Sequence, residues 1–131
     1  MLVLAVAGIL LGITIPQLAR TLDRIEVQAA ASHLIAAHQR ARIMAVASGQ
    51  VLTLALDSAA LSITAGDSAA PLWSAPGPVA SGVSLAGPTR HFTFAPEGFT
   101  LGLSNATLRL VRRSATRSVV FSRLGRVRLL P

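Results

Sequence analysis

The first nineteen positions, MLVLAVAGILLGITIPQLA, carry no charge. Leu2, Val3, Leu4, Val6, Ile9, Leu10, Leu11, Ile13, Ile15 and Leu18 are strongly apolar. At roughly 0.3–0.6 kcal/mol each, they favour insertion into a bilayer by about 3–6 kcal/mol before polar residues and ends are deducted. As a helix the run spans about 28 Å, just short of a hydrocarbon core of about 30 Å. The pattern therefore predicts a transmembrane segment over residues 1–19. A cleaved secretory signal would carry basic residues before the apolar run, and here none precede it. A helix lying flat on a membrane would show a polar face, and this one has none. A core helix of this length would be unusual in so small a chain.

Pro16 removes one backbone donor, but good helix formers follow it, so a kink is expected rather than a stop. From Gln17 to Ala47 the apolar positions recur with helical spacing. One stripe runs through Leu18, Leu22, Ile25, Ala29, Ala36 and Ile43, and another through Val27, Ala31, Leu34 and Ala41. Arg20, Asp23, Arg24, Arg40 and Arg42 fall mostly between the stripes. Ser48-Gly49 supplies a stop with a left-handed glycine cap. One helix of about 45 residues is predicted, residues 1–19 in lipid and residues 20–48 outside it.

After Gly49 the period changes to two. Strands are predicted at Val51–Leu56, Ala60–Thr64, Val83–Leu85, Arg90–Phe94, Thr107–Arg112, Arg117–Ser122 and Arg126–Leu129. Asp57-Ser58, Gly66-Asp67 and Ala95-Pro96-Glu97-Gly98 read as turns. The Pro-, Gly- and Ser-rich stretch Pro71–Gly87 reads as a surface loop carrying Trp73. Leu108 and Leu110 alternate with Arg109 and Val111, and Val119 and Phe121 take core positions. That describes a half-buried antiparallel sheet with one apolar and one Arg-bearing face. The fold class is α+β: a long N-terminal helix packed on an antiparallel head formed by residues 49–131.

Composition narrows the chemistry. With 131 residues the chain holds one core of ordinary size, and it contains no cysteine, which removes disulfides, thiolate metal sites and Cys nucleophiles. A mean hydropathy of +0.61 agrees with a membrane-embedded piece. There is no lysine, and the net charge of +7 lies wholly in the last third. Residues 1–89 balance four Arg against four acids, whereas residues 90–131 carry Arg90, Arg109, Arg112, Arg113, Arg117, Arg123, Arg126 and Arg128 against Glu97 alone. Such asymmetry points to an acidic partner, a nucleic acid or a membrane surface. Plain solubilising charge is the bland alternative.

Catalytic patterns are absent. Gly82-Val83-Ser84-Leu85-Ala86 approaches a nucleophile elbow but ends in Ala and precedes no helix. His33 and His38 are five apart and do not share a helix face; with His91 they read as surface or packing residues. The acids form no pair at a spacing that demands acid/base work. No phosphate loop, dinucleotide fingerprint or metal motif occurs, so no catalytic residue, metal ligand or cofactor is assigned. Asn105-Ala106-Thr107 matches a glycosylation sequon, a three-residue pattern common by chance.

The order of pieces has a resemblance. Leu2–Leu10 with Ile15-Pro16, then Ala41-Arg42, then Gly49-Gln50-Val51-Leu52-Thr53-Leu54, then Phe94-Ala95-Pro96-Glu97-Gly98, and finally Leu124-Gly125-Arg126-Val127-Arg128 together resemble the type IV pilin-like proteins. More narrowly, they are similar to the minor pseudopilin group containing GspH of type II secretion and FimT of type IV pili. The resemblance implies a structural assembly subunit held in the inner membrane by one helix, with a periplasmic head and no cofactor. Its partners would be other pseudopilins or pilins, joined through that helix, with secreted proteins served indirectly. Gly8, Gly12 and Ala5 would let neighbouring helices approach closely, and Pro16 would shape the same segment.

Relatives begin with a basic leader cut after Gly, followed by Phe-Thr-Leu-x-Glu. This chain opens at Met1-Leu2-Val3, already inside the equivalent helix, without that Gly or Glu. Either the start lies upstream of Met1 or the chain is a degenerate member; the first is expected, because a few restored residues bring the span to full length. A second function is implied by the FimT-type relatives, whose Gly-Arg-x-Arg motif is linked to DNA capture and resembles Gly125-Arg126-Val127-Arg128. On a strand Arg126 and Arg128 would point to one side, spaced to meet successive phosphates.

Overall fold

The computed structural model describes residues 1–102 and 105–131. Among the described residues one helix, α1 (Leu2–Ser48), leads into nine strands. Its 47 residues make a rod of about 70 Å. The rod passes through Pro16 without ending and stops at Gly49, whose φ of 62° is the left-handed cap that a residue without a Cβ adopts at no steric cost.

The strands form two antiparallel sheets, not one. The first contains β1 (Leu52–Leu56), β2 (Ala60–Ala65), β3 (Trp73–Pro76), β5 (Arg90–Phe94) and β6 (Thr100–Leu101) in the order β3-β2-β1-β5-β6. The second contains β4 (Ser84–Ala86), β7 (Ala106–Arg112), β8 (Ala115–Phe121) and β9 (Val127–Leu130) in the order β4-β7-β8-β9. Most strands show the same apolar-in, polar-out alternation, whereas β6 buries Thr100 and exposes Leu101. A pattern along one strand records its own two faces but not which strand it pairs with, so the split into two sheets leaves no mark in the periodicity.

Both sheets and α1 enclose a single core. From the first sheet come Leu52, Leu54, Leu56, Leu61, Ile63, Phe92 and Phe94; from the second, Leu85, Leu108, Leu110, Val119 and Phe121. The register stacks Ile63, Leu54 and Phe92 across three strands on one face. On the other face the hydroxyls of Thr53 and Thr93 meet at 3.3 Å.

Of the two apolar stripes on α1, only one is buried. Val27, Ala31, Leu34 and Ala41 lie in the core with Ala30, Ala37 and Ala45, whereas Leu18, Leu22, Ile25, Ala29, Ala36 and Ile43 are exposed. A helix packed on one side has room to bury one stripe, and the Ala-rich stripe lets the sheets come close.

The stretch Pro71–Gly87 is not a plain loop: it carries β3, a 3-10 turn at Pro78–Ser81, and β4. Among the described residues β3 lies at a sheet edge, paired with β2, where a terminal Pro76 is tolerated. Gly77 passes so close to the Ser58 carbonyl that any Cβ would collide with it. Trp73 is half-buried, and the Arg40 guanidinium carbon stands 5.2 Å from its ring centroid. Strand ends shift by a residue or two. The largest shift is at β8, which begins at Ala115 because a two-residue turn, Arg113-Ser114, brings Ala115 opposite Arg112.

Candidate functional site

The first surface of interest is the protruding part of α1. Residues 1–22 are all exposed, including Leu4, Ile9, Leu10, Leu11, Ile13 and Ile15. So much apolar surface in water would be costly, at about 25 cal/mol per Å². Its two threonine hydroxyls bond back to the helix: Thr14 Oγ1 donates to the Leu10 carbonyl at 2.6 Å, and Thr21 Oγ1 to that of Gln17 at 3.0 Å. Gly8 and Gly12 are one turn apart on the same flank, with no atom within 4 Å of where a Cβ would stand. Pro16 follows one turn later, leaving the Gly12 carbonyl without its helical donor.

Just past this bare segment a polar clamp joins rod and head. Asp23 holds the phase of the buried stripe, and its carboxylate is buried among the second sheet's basic residues. Arg112 Nε donates to Asp23 Oδ1 at 2.8 Å, and Arg113 Nη1 to the same oxygen at 3.1 Å. A second Arg112 nitrogen donates to the Ser81 carbonyl, so one guanidinium ties α1, β7 and the 3-10 turn together. Burial pushes the Asp23 carboxyl pKa up, but the hydrogen bonds and charges of Arg112 and Arg113 outweigh this and leave it below its ordinary value. Arg113 takes φ 51°, the left-handed region, at the hairpin tip. The hydropathy pattern alone does not reveal the clamp, because it sets Asp23 between the two stripes; the four-residue step from Asp23 to Val27 is the signal that could have found it.

The Gly-Arg-x-Arg segment forms the β8–β9 hairpin. The Gly125 N–H donates to the Ser122 carbonyl at 2.9 Å and the Ser122 N–H to that of Arg126 at 2.8 Å, with Gly125 at φ 74°. Arg126 and Arg128 are exposed, while the alternating Val127 and Leu129 are half-buried against the core. The two Arg side chains therefore share the outer face, where they line a hollow of about 370 Å³ with Val120, Ser122 and Leu124. Arg109 is exposed on the same sheet, and among the described residues none of the three makes an ion pair.

The Phe94–Gly98 turn has a packing reason. Ala95 N–H donates to the Phe99 carbonyl at 2.9 Å, and a Cβ on Gly98 (φ 86°) would stand 3.0 Å from Val46 Cγ2. The turn thus rests on the upper end of α1, where the positive φ favours glycine and a side chain would crowd Val46.

The remaining chemistry is structural. Ser84 Oγ donates to the Val111 carbonyl at 3.0 Å, across β4 and β7. Asn105 Oδ1 accepts from the Arg123 N–H at 2.7 Å. His33 and His91 are exposed. His38 is buried, with its ring 4.9 Å from those of Phe94 and Phe121, and among the described residues its Nε2 has no partner. Burial, and secondarily the Arg42 charge, push its pKa down to about 4, so it sits neutral among phenylalanines. Among the described residues no cluster of three or more His, Asp or Glu side chains could hold a metal ion.

Comparisons with known proteins agree with this layout. A family model described as Type II transport protein GspH matches residues 30–125. Two crystal structures of the Pseudomonas aeruginosa type IV minor pilin FimU are similar in fold. One, in space group P21, is 27% identical with a TM-score of 0.66, over 83% of this chain and 91% of that one. The other, in P65, is 25% identical with a TM-score of 0.60, over 79% and 92%. No curated protein matches the chain significantly.

Proposed function

This chain belongs to the GspH family of pilin-like proteins, and from that premise we propose that it is a minor pseudopilin, a structural subunit of the type II secretion pseudopilus that drives protein export across the outer membrane. Family and fold are those of structural subunits rather than enzymes. The observation that carries the reading is the continuity of α1: one unbroken rod is uncharged over residues 1–19, bare as far as Leu22, and becomes the spine of the head from Asp23 onward. Residues 1–19 anchor the chain in the inner membrane, and the head stands in the periplasm. On leaving lipid the same surface packs against the helices of neighbouring pseudopilins, with Gly8 and Gly12 allowing backbones to approach. Secreted proteins are served by the assembled fibre and need no binding pocket on this chain.

Two experiments test this. Deleting the gene is expected to leave exported enzymes trapped in the periplasm; normal export with loss of surface pili would transfer the subunit to a type IV pilus. Replacing Gly8 and Gly12 by Leu is expected to leave the chain in the membrane while abolishing its crosslinks to neighbouring subunits. Unchanged crosslinking would overturn the assembly role of that flank.

A second reading has its own support. The fold neighbours are type IV minor pilins, and Arg126 and Arg128 stand exposed side by side on the outer face of β9. In that reading the subunit belongs to a pilus, and the Gly125-Arg126-Val127-Arg128 hairpin meets DNA phosphates during uptake.

A further inference from the structure

The base of the head has a feature that neither reading uses. The β7–β8 hairpin tip comes down beside α1 at Arg24, and the two enclose a hollow of about 340 Å³. Arg24 from the helix and Arg117 from β8 are its cations, Ser114 and Thr116 add hydroxyl donors, and Val27 and Ala115 form an apolar floor. Pro131 borders it, and among the described residues no acidic side chain lines it. Asp23, the neighbour of Arg24 in the chain, is already engaged by Arg112 and Arg113. Among the described residues neither Arg24 nor Arg117 has an ion-pair partner. Arg20 lies one turn nearer the apolar segment on the same flank of α1.

Depth decides what such a hollow would meet. Arg24 is five residues beyond Ala19, the end of the uncharged run, which places it about 7 Å along the rod. The headgroup layer on each side of a bilayer is roughly 5–8 Å thick. Two guanidiniums, two hydroxyls and an apolar floor at that depth match a phosphodiester whose acyl chains run down beside the rod.

We propose that the hollow between Arg24 of α1 and the Ser114–Arg117 end of the β7–β8 hairpin binds the headgroup of an anionic phospholipid and so sets the height and tilt of the head above the membrane. The proposal rests on residues 1–19 lying in the bilayer. Arg24 and Arg117 clamp the phosphate, Ser114 and Thr116 donate to its free oxygens, and Arg20 adds its charge from below.

The full chain is first reconstituted into phosphatidylcholine vesicles and floated on a density gradient. Failure to float overturns the anchored reading itself. The full chain in neutral detergent is then titrated with short-chain phosphatidylglycerol, short-chain phosphatidylcholine and inorganic phosphate, with the fluorescence of Trp73 confirming the fold. Phosphatidylglycerol is expected to bind about tenfold more tightly than phosphatidylcholine, equivalent to about 1.4 kcal/mol, and inorganic phosphate at least tenfold more weakly than phosphatidylglycerol. The single variant Arg24→Glu, at an exposed position, is expected to abolish the preference, and Arg24→Gln with Arg117→Gln to reduce it to within about twofold. Flotation with equal affinity for both lipids overturns this site alone. So does a preference unchanged in Arg24→Glu. Phosphate binding as tightly as phosphatidylglycerol makes it a small-anion site, and displacement of the lipid by lower concentrations of duplex DNA makes it a polyanion site; either result also overturns the lipid assignment.

Discussion

From Leu2 to Leu22 every residue of α1 is exposed, whereas from Asp23 to Ala45 nine residues of the same helix are buried. The lower half uses bulky Leu, Ile and Val; the buried stripe of the upper half is Ala at five positions, with Val27, Leu34, Asp23 and His38 as the exceptions. The difference follows from what covers each half. A pair of folded sheets is a rigid surface, and small side chains let the rod approach it at full packing density. In the proposed reading the lower half meets lipid tails, which are fluid and conform to any shape, so it is free to carry large side chains. The upper half also keeps an exposed face, with Leu22, Ile25, Ile43 and Val46 open to solvent. That is the surface a neighbouring rod would cover in an assembly.

The comparison breaks most sharply at two leucines. Leu34 is fully buried between helix and sheets, and Leu10 is exposed. Leu34→Ala is expected to cost the head about 3 kcal/mol, the usual size of a buried Leu→Ala cavity. Leu10→Ala is expected to leave head stability unchanged within about 0.5 kcal/mol, while weakening retention in vesicles. Urea unfolding followed by Trp73 fluorescence reads the first effect and vesicle flotation the second. Equal losses of head stability would mean that the lower half also packs on the head.

A smaller effect separates the two polar exceptions in the buried stripe, and each has its own pH window. His38 is neutral in the fold, with its pKa lowered from 6.5 to about 4. Between those values the unfolded chain binds the proton that the folded head excludes, so stability falls as pH drops from about 6.5 to about 4, by at most roughly 3 kcal/mol. His38→Leu, close in volume and without the unpartnered Nε2, is expected to flatten that part of the profile. A slope that survives the substitution would place the titrating group elsewhere.

Asp23 acts lower on the scale. Its folded pKa lies below the ordinary 3.8, so its contribution is fully present at neutral pH and is lost only as pH falls below about 3.8. Asp23→Asn is expected to remove that acid limb and to loosen the junction at pH 7, because a neutral amide replaces the carboxylate charge that holds Arg112 and Arg113 to the rod. Hydrogen exchange at the 3-10 turn and the β7–β8 tip is the direct readout. No change there would reduce the clamp to a surface contact.

Much of this is legible in the sequence, and the parts that are not share a cause. The rod, its passage through Pro16 and its glycine cap at Gly49 depend on neighbours a few residues apart, which a linear pattern records. So do the inward positions of Leu108, Leu110, Val119 and Phe121. The two-sheet split, the edge strand β3 and the burial of only one helical stripe depend on pairing between residues far apart in the chain. Gly77 illustrates this: it is required by the Ser58 carbonyl, nineteen residues back, and no local rule marks it. The clamp is the most instructive case. An Asp at a core phase of the helix reads as a polar interruption until two arginines some ninety positions later are seen to need it.

The outer face of the second sheet gives the smallest expected effect on stability and the cleanest separation of functions. Like the lower rod it is exposed, but it is charged, and charged surface needs no cover. Arg126 and Arg128 are exposed and make no ion pair among the described residues. Replacing both by Ala is expected to change head stability by less than about 0.5 kcal/mol. If the hairpin meets DNA, the wild-type head shifts a duplex at low salt, and the double substitution lowers the slope of log affinity against log salt by about two, one released counterion for each phosphate that an arginine neutralises. The weakening is expected to be uniform across sequences, because guanidiniums on phosphates carry no base information. Binding that is absent at low salt, or present with an unaltered slope, leaves the two arginines as solubilising charge on an export subunit. Arg109 on the same face is the internal control: if it contributes equally, the face acts as a diffuse field rather than through the hairpin.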